Sequence, residues 1–241
     1  MTSVSQILEK LDNDGGIEVI KLEKSLKLSK KIDRDNLGIA IKALTKIGII
    51  KNIENEKVAI NNEIDFVKGR VRCSSKGYCF VVREDLGEDI YIRESNLNHA
   101  WHGDYVMVLI TKDGLKRRAP EGSIQCVLKR NNDILLAKVE VDKSTKKLKA
   151  YPLDDRIPVV IEIDNDHNKF EINSDNKLIY EIEISNYPIA QFNANGSIIR
   201  ELPLNAGLEG DIEILLSKYN IYKDLHPSKF TSKKINSKAR E

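Results

Sequence analysis

Tyr78 and Phe80 stand two residues apart in Tyr78-Cys79-Phe80-Val81-Val82-Arg83, and Tyr91 follows inside Asp89-Ile90-Tyr91-Ile92-Arg93. Both runs read as strands, and a strand alternates its side chains between two faces. Tyr78 and Phe80 then share one face, with Cys79 and Val81 on the other. If Ile90 and Ile92 join the buried set, Tyr91 and Arg93 point outward as well. Lys76, Arg93 and Arg72 ring this face, and Arg83 closes the strand. Flat rings offer stacking area to any unpaired base, worth roughly 1–3 kcal/mol per base, while neighbouring cations meet phosphates. Such a surface favours single strands over duplexes, whose bases are already stacked. The competing reading is that the rings form the core of a sheet covered by another domain.

Hydrolytic chemistry finds no comparable constellation. Two-metal phosphodiester cleavage needs several converging carboxylates around Mg²⁺. Asp154-Asp155 and Asp164/Asp166 are local acidic pairs in turns and read as solvated loop acids. His99, His102, His167 and His226 are scattered, no cysteine lies at metal-ligand spacing, and neither a P-loop nor a nucleophile elbow is present. The sequence predicts a chain that binds and does not cut, with no catalytic residues, metal site or cofactor of its own.

The charge pattern agrees with a local binding surface. The net charge of +2 hides a sum of 0 over residues 1–66, +4 over 67–130, −7 over 131–216 and +5 over 217–241. Phosphate binding follows local Lys and Arg rather than the total, so residues 67–130 are the first candidate.

The elements around this segment suggest several domains, as 241 residues also do. Val4, Ile7, Leu8 and Leu11 have helical spacing behind a Thr2/Ser3 cap, and Asn13-Asp14-Gly15-Gly16 ends the helix. A second short helix is expected near Lys21–Leu28. A third, capped by Asp33 or Asp35, carries Leu37, Ile41, Leu44 and Ile47 on one face and stops at Gly48 in a left-handed conformation. Ile49–Ile53 and Lys57–Ile60 flank Glu54-Asn55-Glu56 as a hairpin. Three helices and a hairpin predict a winged-helix-like domain over residues 1–65. Its third helix exposes only Arg34, Lys42 and Lys46, which favours a structural or protein-contacting role over DNA binding. Beyond residue 131, strands are expected at 135–141, 159–163, 178–184, 196–202 and 211–216, with Glu162, Asp164, Glu181 and Glu183 facing outward. Residues 218–241, basic and poor in apolar side chains, read as a tail or linker.

Composition sets further bounds. Hydrophobic content of 41% and charged content of 32% suit a soluble globular protein. The apolar runs are short and interrupted, so no membrane partner is expected. Three cysteines cannot form a disulfide framework and suggest a reducing compartment; with no secretory signal visible, the expectation is cytoplasmic.

Lys76-Gly77-Tyr78-Cys79-Phe80-Val81 followed by Asp89-Ile90-Tyr91-Ile92 resembles the paired ribonucleoprotein motifs of cold-shock domains, which are five-stranded barrels of the OB type. Asn96-Leu97-Asn98-His99-Ala100-Trp101-His102-Gly103-Asp104-Tyr105-Val106 extends the likeness, as does Glu121-Gly122-Ser123-Ile124 leading to Val127-Leu128-Lys129-Arg130. Together they resemble the first cold-shock domain of the ribonuclease II / ribonuclease R family. Two departures stand out: Cys79 replaces a common Gly, and the first strand lacks the Trp of free cold-shock proteins.

In that family a helical N-terminal domain precedes two cold-shock domains, a nuclease domain and an S1 domain. The resemblance implies a multi-domain α+β chain with a winged-helix-like domain at 1–65 and cold-shock/OB barrels at 66–131 and 132–217. It implies single-stranded RNA as partner, with Tyr78, Phe80 and Tyr91 stacking bases and Lys76, Arg72, Arg83 and Arg93 meeting phosphates. Hydrolysis from the 3′ end with magnesium would belong to a nuclease domain beyond residue 241, in cis or in trans. Two alternatives stand beside it: a stand-alone, chaperone-like RNA-binding cold-shock protein, and a winged-helix regulator of DNA.

Overall fold

The structure is a computed structural model that describes residues 3–11, 15–53, 57–115, 118–164, 178–189, 191–203 and 207–218. The chain divides into two compact units, residues 1–133 with 155–158, and residues 134–154 with 159–241. Thr2, the turns at 13–14 and 54–56, Asp166, His167, His226 and all of the basic tail after Lys218 lie outside the described residues.

The first unit opens with α1 (Val4–Leu11), whose start is a reciprocal cap. The Gln6 N–H donates to Ser3 Oγ at 3.3 Å and the Ser3 N–H donates to Gln6 Oε1 at 3.0 Å. β1 (Ile17–Glu18), α2 (Val19–Ser25), α3 (Lys31–Lys46), β2 (Ile50–Ile53) and β3 (Lys57–Ile60) follow, and the strands pair in the order β1-β3-β2. Ile17–Glu18 carries no strand signal in the sequence; two residues are too few for periodicity, and only pairing with Lys57 and Val58 makes them one. The expected caps of α3 are corrected: Lys30 occupies the cap position without a side-chain bond, and Asp33 lies in the first turn. Gly48, at φ +79°, ends α3 in the expected left-handed conformation.

Five strands then close a barrel: β4 (Phe66–Cys73), β5 (Cys79–Arg83), β6 (Ile90–Ile92), β7 (Tyr105–Lys112) and β8 (Glu121–Lys129), in the order β4-β5-β6-β8-β7. β6 and β8 run parallel, and the other pairs are antiparallel. Val71, Val81, Ile90, Ile92, Val106, Val108 and Ile124 fill the interior. Gly122 is required there, since a Cβ would come within 2.7 Å of both Ile90 and Val108. On the outside, Met107 of β7 and Leu128 of β8 join the apolar core of the N-terminal helices. That wall is covered by the N-terminal helices.

Asp104 explains the Gly103-Asp104 and Arg130 signals. Its carboxylate is fully buried and accepts from the Trp101 N–H (2.8 Å), the Asn131 N–H (3.0 Å) and Arg130 (2.8 Å). It ties the loop before β7 to the end of β8. Trp101 is buried beneath the Arg130 guanidinium, 5.8 Å from the ring centroid, so it offers no stacking platform.

The cysteine expectation is also corrected. Cys73 and Cys79 are register partners in β4 and β5 with Cα atoms 4.1 Å apart, and they form a disulfide; Cys126 is free. An odd count hides a pair that register brings together, so cysteine usage no longer argues for a reducing compartment. No helix among the described residues is long and apolar enough to cross a membrane.

The second unit is a barrel with the same strand order, β10-β11-β13-β12-β9. Its strands are β9 (Ile134–Val141), β10 (Leu148–Pro152), β11 (Ile161–Ile163), β12 (Leu178–Asn186) and β13 (Ala194–Pro203). The strand expected at 211–216 is instead part of α4 (Gly207–Lys218). The local alternation Asp211-Ile212-Glu213-Ile214 imitates a strand, but Ile214 packs as part of the helix beside the buried Leu136, Ile179 and Leu202. The vacant strand position is filled by β10, a five-residue strand in which Lys149 and Pro152 obscure the pattern. Glu181, expected to face outward, is buried: a register shift at Glu181/Ile182 breaks the alternation, and Arg200 (2.8 Å) and Ser217 bind its carboxylate.

Candidate nucleic-acid interface

Strand alternation and barrel closure line up one row of outward side chains. Arg72 of β4 pairs in register with Phe80 of β5, Phe80 with Tyr91 of β6, and Tyr91 with Glu121 of β8. The Phe80 and Tyr91 ring centroids lie 5.4 Å apart with planes tilted by 57°. This is a favourable geometry for two quadrupolar rings, and it fixes Phe80 from one side. Cys79 and Val81, between these outward positions, are buried.

Tyr78 stands at the entrance of β5, placed by the β4–β5 turn. The Ser74 N–H donates to the Tyr78 carbonyl at 2.8 Å, and the Gly77 N–H donates to the Ser74 carbonyl at 3.0 Å. Gly77 sits at φ +82°, a conformation a side chain would strain. The disulfide closes the base of this turn. The result is a Tyr78 side chain that is 56% exposed, the most accessible ring of the three.

A cleft of about 580 Å³ opens on this wall, lined on the sheet side by Arg72, Ser74, Tyr78 and Phe80. Glu88 and Asp89 line it from the β5–β6 connection. Leu115 and Arg118 close it from the β7–β8 connection, where mutual backbone hydrogen bonds of 2.9 and 2.8 Å pin them together. Arg118, Leu115, Glu88 and Asp89 were not singled out from the sequence. The basic run Lys116-Arg117-Arg118 was the available signal, but nothing local says that a distant hairpin folds toward β5.

The structure therefore gathers only part of the expected set. Arg72, Tyr78 and Phe80 line the cleft, and Tyr91 buttresses Phe80 without lining it. Lys76 is exposed in the turn, and neither it nor Arg72 has an ion-pair partner among the described residues. Arg93 is held by Glu121 at 2.9 Å, which also takes Lys112 at 3.1 Å. These two cations hold the Glu121 carboxyl below its ordinary value. The pairs are solvent-exposed and screened by water, so a phosphate can compete for either cation. Arg83 is not brought to this face. It falls on the Cys79/Val81 side of β5 and grips Asp85 through two bonds of 2.7 and 2.6 Å. The Asp85 carboxyl is thereby held down at about 2.

No group of three or more His, Cys, Asp or Glu among the described residues is arranged to hold a metal ion. What this wall offers a ligand is ring surface for a planar group, with two guanidinium groups and two carboxylates lining the same cleft.

Residues 5–61 match the family described as Cyanobacterial RNase R, N-terminal domain, and residues 69–127 match the Ribonuclease B OB domain. The acetazolamide conferring resistance protein zam of Synechocystis sp. is 34% identical over 220 residues, covering 91% of this chain and 28% of that protein. Ribonuclease R of Buchnera aphidicola is 25% identical over 207 residues, covering 83% of this chain and 26% of that protein. Among solved structures, Mycoplasma genitalium RNase R in complex with ribose methylated single-stranded RNA shares the fold at a TM-score of 0.53. It is 17% identical and covers 64% of this chain and 24% of that one. The chain thus spans about a quarter of the length of the curated relatives it matches. With an RNase R N-terminal domain followed by a Ribonuclease B OB domain, and with ribonucleases R among its relatives, this sequence belongs to the N-terminal region of the ribonuclease II / ribonuclease R family.

Proposed function

We propose that the first barrel, as a cold-shock-type module, binds single-stranded RNA by stacking unpaired bases on Tyr78 and Phe80 while Arg72, Lys76 and Arg118 meet the phosphates. The observation that carries this reading is the exposed Tyr78 ring at the wall of a cleft whose second ring, Phe80, is braced by Tyr91. A fold neighbour described in complex with single-stranded RNA supports RNA as the ligand class. Arg93 joins when a phosphate displaces Glu121.

In the same proposal, the chain is the RNA-receiving part of a ribonuclease R-like 3′–5′ exoribonuclease acting in the cytoplasm. Its N-terminal helices and hairpin are a winged-helix-like module whose α1 supports the barrel. Magnesium chemistry belongs to a nuclease domain in cis or in trans, and this chain alone binds without cutting.

The test is fluorescence anisotropy with a labelled single-stranded hexaribonucleotide, a duplex RNA and a duplex DNA of the same sequence. The expected result is saturable binding of the single strand, with at least roughly tenfold weaker binding of both duplexes. Equal or tighter binding of duplex DNA would favour the regulator reading instead.

A further inference from the structure

We propose that this cleft selects bases that present N–H donors on their Watson–Crick edge, guanine foremost, and that Glu88 and Asp89 read that edge. The inference rests on the RNA-binding reading of the same cleft and narrows it to a base preference.

The cleft is not uniformly cationic. Arg72, Arg118, Glu88 and Asp89 all line it, so the formal charges of its described lining cancel. In a surface built only to grip phosphate, two carboxylates oppose the ligand. Nearby acids are committed elsewhere: Glu84 accepts from the Tyr105 hydroxyl at 2.7 Å, Asp85 holds Arg83, and Glu121 holds Arg93 and Lys112. Glu88 and Asp89 have no hydrogen-bond or ion-pair partner among the described residues, so their acceptor capacity is open. Glu88 also approaches the β7–β8 connection, since a Cβ built on Gly114 would lie 3.1 Å from its Oε2.

A base stacked on Tyr78 or Phe80 has its plane fixed by the ring, and its edge must then meet the side walls. Single-stranded bases are read on those free edges. Guanine offers adjacent N1–H and N2–H donors, which match the two oxygens of one carboxylate. Cytosine and adenine each offer an exocyclic amino group. Uracil offers one N3–H flanked by two carbonyl oxygens, which repel a carboxylate aimed between them. A good two-point contact of this kind discriminates by roughly tenfold or more.

The experiment is anisotropy with the full 241-residue chain, comparing a labelled uridine hexamer with the same hexamer carrying one central guanosine. The guanosine is expected to raise affinity roughly tenfold, and the E88Q/D89N double variant to shrink that gain to under about twofold. Equal affinity of the two oligomers, or a gain that survives the double substitution, overturns the proposal. Tyr78→Ala separates the two levels. If it weakens both RNAs while guanosine gives no gain, the base preference alone fails; if it changes neither, the RNA-binding reading fails with it.

Discussion

Phe80 and Tyr91 face one another across β5 and β6 at 5.4 Å, yet only Phe80 lines the cleft. The two rings therefore have different work. Removing Tyr91 takes away the brace, and removing Tyr78 takes away a platform. Tyr78→Ala is expected to weaken single-stranded RNA binding by about 1–3 kcal/mol. Tyr91→Ala should cost less than half of that, because the Phe80 surface remains. Titration of both variants checks this, and a Tyr91→Ala loss equal to that of Tyr78→Ala would contradict it.

Glu121 occupies Arg93 and Lys112, and on the proposed reading it thereby restrains RNA binding. Glu121→Gln should raise RNA affinity severalfold at low salt. It should also steepen the slope of log affinity against log salt by about 0.7 for each released cation that reaches a phosphate. The advantage is full near neutral pH. It fades as pH falls through the native Glu121 pKa, which Arg93 and then Lys112 hold below the ordinary glutamate value, because the wild-type carboxyl then loses its charge as well. An unchanged salt slope in the variant would show that these cations never meet RNA.

Arg72 and Arg83 look alike in the sequence and differ in the fold. Arg72→Ala should flatten the salt slope by about 0.7, as expected for one lost phosphate contact on a single strand. Arg83→Ala should leave slope and affinity close to wild type, because its guanidinium is committed to Asp85 away from the cleft. The same salt series measures both, and an equal effect of the two would mean that Arg83 leaves Asp85 to bind RNA.

The thiols give an independent check on the β4–β5 turn. Burial pushes the Cys126 thiol up to about 12, and Cys73 and Cys79 are paired. Alkylation of the unreduced native protein at pH 8 should label no cysteine. In denaturant it should label Cys126 alone, and after reduction all three. Labelling of Cys73 or Cys79 without reduction would remove the disulfide from the account.

Much of this was legible in residue order. The buried set Val81, Ile90 and Ile92 follows from alternation, and it places Tyr78, Phe80 and Tyr91 outward by parity alone. What parity cannot give is distance along the chain. The partner of Cys73, the approach of Arg118 to β5 and the capture of Arg93 by Glu121 all depend on strands joined by register. Arg83 shares the Cys79/Val81 parity and pairs with Asp85 two residues on, so its expected phosphate contact is left to the salt series. Glu181 and 211–216 failed for related reasons, a bulge that breaks alternation and a helix whose local sequence imitates it.

Ultraviolet cross-linking of a single-stranded RNA to the whole chain, followed by tryptic mapping after reduction, tests the central claim most directly. The account predicts that the dominant adduct lies on Gly77–Arg83, the fragment that carries both Tyr78 and Phe80. Adducts confined to residues 1–65 or to the second barrel, with that fragment unmodified, would contradict it.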